Sequence, residues 1–293
     1  MVRSDKYFIV QKFRPSPLPI KGLPLGLRAV GHYNAPPGNI PPVRYSTYTA
    51  IAWGIRGSLT ATIEDIGQFT LTPEYVLVIT PGLKYCLEAS TEGCEFRYIA
   101  IDGPQSECTW LNVGLWTGLF PTREAPSGWL DGLAELVVSE NREDQILAVS
   151  RAHDLVVYQA DIAKELIRDN LVYQAQWYIH RNWHNCEVNI ESIISFLNVD
   201  RATLSTRFKR KTGLPMLEYI TRLRIAGAKR MLTTTSMQIC EVAKMCGFKD
   251  SSYFARLFRK KTGFAPLQYR IGNTRSEVKE FNIPLSQTAL KDN

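Results

Sequence analysis

The sequence predicts an α+β chain of several domains: an all-β sandwich or barrel first, then central helices, then an all-α domain with two helix-turn-helix motifs. Three observations predict this. Short β-branched and aromatic runs fill the chain up to Asp102, an apolar seam of helical spacing runs from Ile146 to Ile167, and a segment of about 30 residues occurs twice after Ile190. A length of 293 residues, at roughly 100 to 200 per domain, argues for more than one core. With 45% hydrophobic and 22% charged residues, neither a disordered nor a fibrous chain is a sensible reading.

Residues 15–42 are rich in Pro and Gly (PSPLPIKGLPLG, APPGNIPP), which predicts an irregular arm and loops. Strands are expected at TYTAIAWGI, SLTATIE, QFTLT, YVLVIT and FRYIAI, each bounded by turn residues, with no helix before Asp102. From Ser127, Leu130, Leu133, Ala134 and Val137 have helical spacing. A longer helix follows from Asp144, with Ile146, Val149, Val156, Ala160, Ala163 and Ile167 on one seam and His153 in its polar slot. That seam suits pairing with a second copy of the chain, and equally suits packing on the chain's own β domain.

The repeat is the most specific signal. Ile190–Tyr219 aligns with Ile239–Tyr269, the second copy having one extra residue in its turn. Phe208, Lys211, Thr212, Gly213, Leu217 and Tyr219 recur as Phe258, Lys261, Thr262, Gly263, Leu267 and Tyr269. Each copy reads as a short amphipathic helix, a turn and a second helix. Asn198 and Gly247 suit the left-handed end of the first helix, Asp200 and Asp250 suit the start of the second, and Gly213 and Gly263 its end. Between the copies, PMLEYITRLRIAGAKRML predicts a helix opened by Pro215, whose internal Gly227 weakens it by about 1 kcal/mol unless close packing requires it.

Burying Leu204 and Phe208, and Phe254 and Phe258, leaves opposite faces that would enter major grooves. These carry Ala202, Ser205 and Thr206 in one copy and Ser252 and Arg256 in the other, with Arg256 suited to two acceptors on a guanine edge. Arg207, Lys209, Arg210 and Lys211, with Arg259, Lys260 and Lys261, would neutralise phosphates. Charge agrees: the net of +7 concentrates in residues 186–275, where 17 Lys and Arg face 6 Asp and Glu. The expected partner is double-stranded DNA read in two adjacent major grooves.

The pattern GF-x4-YF-x3-F-x4-G-x2-P-x2-YR, carried by Gly247, Phe248, Tyr253, Phe254, Phe258, Gly263, Pro266, Tyr269 and Arg270, resembles the DNA-binding domain of AraC/XylS-type transcription regulators. Ile194 departs from the family's usual small Ala, and Ala202 with Thr206 offers modest groups for readout. Upstream, RG-SLTATIEDIGQFTLTPEYVLVITPGLKY and FRYIAIDGP are similar to the cupin-like β-barrel that such regulators carry, with Tyr85 where the family often has His and Glu74 in place of Gly-Asp. The resemblance implies a ligand-sensing barrel and tips the effector toward a sugar or sugar derivative. Arg44, Trp53, Tyr85, Arg97 and Tyr98 are the candidate ligand-binding residues, because aromatic faces stack on sugar C–H groups and Arg donates several hydrogen bonds.

The implied organisation is an arm (1–17), a cupin-like sensor barrel (18–125), a helical dimerisation or linker region (126–169), an AraC-type DNA-binding domain (170–272) and a tail (273–293). A homodimer is expected, and RNA polymerase is a candidate partner. No cofactor or metal is expected: the four His cannot form a cupin ligand set, and the six Cys lack a C-x-x-C pair and read as reduced thiols. No apolar run approaches the ~18 residues of a membrane span, and no secretory leader is apparent, so the expected place is the cytoplasm, without a membrane partner. No phosphate loop, nucleophile elbow or H-E-x-x-H helix is present, which argues against catalysis. Two alternatives stay open: a cupin-type isomerase or lyase fused to a DNA-binding domain, and a ligand-independent regulator with a structural barrel.

Overall fold

A computed structural model describes residues 7–16, 20–41, 43–123 and 127–272. Part of the arm expected at 1–17, and all of the tail at 273–293, lie outside the described residues. The chain divides into two compact units, one of Met1–Arg181 with Ile193–Pro215, the other of Asn182–Ser192 with the chain from Met216 onward.

The first unit is built on an antiparallel sheet of Phe8–Phe13 (β1), Gly26–Ala35 (β2), Arg44–Tyr45 (β3), Thr49–Ile63 (β4), Gly67–Leu71 (β5), Tyr75–Ile79 (β6), Lys84–Asp102 (β7) and Gly118–Pro121 (β8). Strand order is β1-β2-β7-β4-β6-β8, with β3 on β7 and β5 on β4. The stretch expected to be irregular contains β2, because Pro24 and Pro36 flank the strand and remove none of its N–H donors. β7 is likewise longer than FRYIAI, running back through KYCLEASTEG to pair with β4 from Ile63↔Tyr85 onward. Strand alternation gives the sheet two apolar faces. Val30, Ile51, Trp53, Val76, Val78, Ile99 and Ile101 form one and pack against helices.

Those helices are Ser106–Val113 (α1), Ser127–Leu136 (α2) and Arg142–Ile167 (α3). α1 was not expected: it is too short to show a helical period, yet it buries Trp110 completely and ends at left-handed Gly114. Asn141 caps α3 by accepting from the Glu143 N–H at 2.9 Å. Its buried face is Ala148, Ala152, Leu155, Val156, Gln159, Ala160 and Ala163, laid on the sheet. Most of the expected seam therefore packs on the chain's own β layer, whereas Ile146 is 42% exposed. Each large aliphatic side chain so buried contributes about 1.5 to 3 kcal/mol.

The remaining helices are Leu171–Asn182 (α4), Ile190–Leu197 (α5), Arg201–Thr212 (α6), Met216–Thr234 (α7), Ile239–Met245 (α8) and Ser251–Thr262 (α9). Within the first unit, α4 is capped by Asn170 and sets His180 against Trp116, rings stacked at 4.8 Å. In the second unit, Ile225, Ala228 and Leu232 of α7 pack on Val242, Ala243, Cys246, Phe248, Phe254 and Phe258. Gly227 is fixed by contact: a Cβ there would overlap the Trp183 ring.

Candidate nucleic-acid interface and effector pocket

Two helix pairs, α5 with α6 and α8 with α9, repeat the same local design. Asn198 at φ 51° and Gly247 at φ 76° turn the chain after the first helix of each pair. Gly247 is further confined, because a Cβ would meet the Trp183 carbonyl oxygen at 2.6 Å. Asp200 accepts from the Thr203 N–H at 2.7 Å and Asp250 from the Tyr253 N–H at 2.5 Å, satisfying N–H groups that the helix leaves free. Those backbone hydrogen bonds hold the exposed Asp200 carboxylate below its ordinary pKa. Gly213 and Gly263, both left-handed, close α6 and α9 by donating to Lys209 and Arg259 carbonyls at 2.8 Å.

Leu204, Phe208, Phe254 and Phe258 are fully buried, as their spacing requires. The opposite faces are open: Ala202, Thr206, Ser252 and Arg256 are exposed and Ser205 is half-buried. Arg207, Lys209, Arg210, Lys211, Arg259, Lys260 and Lys261 are also exposed by residue. They are not equivalent. Lys261 is held by Glu218 of α7 at 2.6 Å, which with Arg222 keeps the Glu218 carboxyl below its usual range. Arg207, Arg210 and Lys211 line an open groove of about 820 Å³ with Ala202, Thr206 and the Asp169–Val172 turn.

Two arginines that the charge argument counted without a role turn out to be tethers. Arg224 donates to the carbonyls of Trp183 and Asn185, each at 2.9 Å. Arg270 donates to Leu232 and Met237 carbonyls at 3.2 and 2.6 Å. Five donors in a fixed fork suit Arg for gathering carbonyls at helix ends. Arg270 stands in the YR pair that closes the motif pattern, and Arg224 carries no local signal of its role.

The second face of the sheet encloses a pocket lined by Ala50, Ala52, Leu77, Ile79, Tyr85, Leu87, Phe96 and Tyr98, with Tyr33, Asn39, Arg44 and Tyr48 supplying polar atoms and Phe8 of β1 reaching it. Three expected residues, Arg44, Tyr85 and Tyr98, meet there. Trp53 and Arg97 do not: each precedes or follows a pocket-lining neighbour on its strand, so alternation turns it to the other face. Trp53 is 1% exposed and donates to Gln159 of α3 at 3.3 Å. Arg97 has its Nη1 buried with no hydrogen-bond partner among the described residues.

Burial raises the Tyr85 phenol well above its ordinary pKa and pushes Tyr98 up to about 12, so both stay neutral. Tyr98 accepts from Gln11 of β1 at 3.4 Å, and Tyr33 from Asn39 at 2.7 Å. The end of β1 is fastened by Arg14, buried with Asp102 at 2.6 Å. Among the described residues, no three His, Cys, Asp or Glu side chains gather as a metal site. No helix there is long and apolar enough to cross a membrane.

A helix-turn-helix domain model matches residues 194–271. The arabinose operon regulatory protein of Salmonella typhimurium is 29% identical over 217 residues, 70% of this chain and 77% of that protein. That of Escherichia coli K12 is 28% identical over 231 residues, 75% and 79% of the two chains. The HTH-type transcriptional activator RhaS of Escherichia coli O1:K1 is 34% identical over 86 residues, 29% of this chain and 31% of that protein. A helix-turn-helix domain over residues 194–271, together with these relatives among the arabinose operon regulatory proteins and RhaS, supports an AraC-type DNA-binding transcription regulator.

Proposed function

We propose that this regulator is sequence-specific and effector-controlled, with a cupin-like sensor barrel, a helical dimerisation region and two helix-turn-helix motifs, and that it catalyses no reaction. The boundaries are those expected from the sequence: sensor 18–125, helical region 126–169, DNA-binding domain 170–272. The observation that carries the reading is the repeated pair of buried apolar residues behind an exposed face, Leu204 and Phe208 behind Ala202, Ser205 and Thr206, and Phe254 and Phe258 behind Ser252 and Arg256. Such a face can enter a major groove without disturbing the core. α7 has 19 residues, about 28 Å of helix, a length suited to serving two grooves roughly 34 Å apart.

A sugar or sugar derivative is the effector, held by Arg44, Tyr85 and Tyr98. It acts by favouring one arrangement of arm, sensor and DNA-binding domain over another. A homodimer is supported by the outer side of α2 and α3, where Trp129 and Tyr158 are 47% and 55% exposed with rings 5.6 Å apart. The protein works in the cytoplasm on double-stranded DNA, with RNA polymerase as a further partner. Selection from a random DNA pool, with and without sugars, tests this. A motif spanning two adjacent grooves that changes with sugar is the expected result. No enrichment over competitor DNA would overturn specific recognition, and an unchanged motif and affinity would leave the barrel structural.

A further inference from the structure

The pocket has an unusual charge inventory. Among the described residues that line it, Arg44 is the one ionised group, and none is an Asp or Glu. Arg44 sits on β3 in register with Tyr85 of β7, and both line the pocket. Tyr33, Tyr48, Tyr85 and Tyr98 surround it with phenols, which offer hydroxyls but no counter-charge. The half-buried guanidinium has already given up part of its hydration. A neutral sugar would hydrogen-bond it and leave that charge uncompensated, whereas a carboxylate matches its planar fork with two parallel bonds.

Size narrows the occupant. The space open to water is about 60 Å³, roughly four to six waters at 10 to 15 Å³ each. An apolar floor of Ala50, Ala52, Leu77 and Ile79 lies beneath the polar rim, so the part of the ligand away from Arg44 presents C–H groups to the floor and hydroxyls to the phenols.

We infer that the effector is a compact monoanionic hydroxy acid of the sugar-acid class, its carboxylate paired with Arg44 and its hydroxyls on Tyr33, Tyr48 and Tyr98. This rests on the sensor reading above and adds the charge of the ligand to it. Arg44 is then the residue that sets specificity for charge.

Calorimetric titration of the full-length chain against matched pairs tests it: glycerate against glycerol, threonate against threitol, arabinonate against arabinose, with propionate as a carboxylate lacking hydroxyls. At least one acid should bind tenfold or more tighter than its neutral partner, and added salt should weaken it. Arg44→Gln should remove that preference. Arg44→Lys, keeping the charge but not the fork, should keep part of it, and both variants should unfold at the wild-type denaturant midpoint. A neutral polyol or sugar binding as tightly as its acid would overturn the proposal and leave sugar sensing intact. Propionate binding in place of every hydroxy acid would support the anion site while refuting a sugar-derived effector. Silence from the whole panel would overturn both.

Discussion

Trp53 of β4 and Gln159 of α3 share a hydrogen bond of 3.3 Å, and the same carboxamide accepts from Thr122 at 2.8 Å and donates to the Pro121 carbonyl at 3.0 Å. Trp53 and Gln159 are 1% and 2% exposed, so water cannot replace a lost partner. Gln159→Leu strands an indole N–H, a hydroxyl and a carbonyl. The expected loss is about 2 to 4 kcal/mol, at roughly 1 to 3 per unsatisfied group with partial relaxation. Urea unfolding followed by tryptophan fluorescence measures it, and an unchanged midpoint would show that the network contributes nothing.

Gly227→Ala sets two effects against each other. Helix propensity alone favours Ala by about 1 kcal/mol. The added Cβ overlaps the Trp183 ring, and overpacking costs about 1 to 3 kcal/mol. Because Trp183 packs against the core of α7, α8 and α9, the clash should win and the variant should be less stable. A gain in stability would mean that the ring moves aside freely.

His180 makes the first unit sensitive to acid. Burial lowers its pKa to about 3, against an ordinary value near 6.5, so the unfolded chain takes up the proton first as pH falls. Its contribution to stability is full above about pH 6.5 and is lost progressively toward pH 3. Between pH 7 and pH 5 the loss is of the order of 2 kcal/mol. His180→Phe keeps a ring against Trp116 and should flatten that part of the profile; an identical slope would assign the acid sensitivity to another group.

The cations of α9 should separate by role in DNA binding. Arg256→Ala is expected to cost about 1 to 3 kcal/mol on the preferred site and relax choice at one base pair. Lys260→Ala should weaken all sequences alike and flatten the salt dependence. Lys261→Ala should show up in stability, since Lys261 is tied to Glu218, by no more than about 1 kcal/mol for a pair so partly exposed. Matching effects of Arg256→Ala and Lys260→Ala across sequences would refute the division.

The helical pairs were legible because each rests on local chemistry: Asp200 and Asp250, Asn198 and Gly247, and the spacing of Leu204 with Phe208 all act within one turn. The pocket was legible only in part. Arg44, Tyr85 and Tyr98 line it, whereas strand alternation turns Trp53 and Arg97, expected there from residue type, to the other face. Along Ile51–Gly54 of β4 and Ile99–Asp102 of β7 both faces are buried, so apolar character there does not mark the phase, and only the register and the helices on one side decide it. Tyr33 reaches the pocket through the pairing of β2 with β7, which no local pattern reveals, while Asn39 and Tyr48 sit in the loops that flank β3, where residue type alone does not mark a lining position. Lys261 looked like its copy Lys211, and nothing local announces that Glu218 holds one of them.

The exposed faces of α6 and α9 carry none of the weight of the fold. Leu204, Phe208, Phe254 and Phe258 anchor the helices from behind, while Ala202, Thr206, Ser252 and Arg256 stand clear of the core. Substitutions on those faces therefore accumulate at little cost to folding, and the two faces can diverge separately, as Thr206 and Arg256 already have. On the proposed reading of those faces, a lineage can change its targets one base pair at a time while the scaffold stays intact, and a duplicated scaffold becomes a source of new regulatory connections.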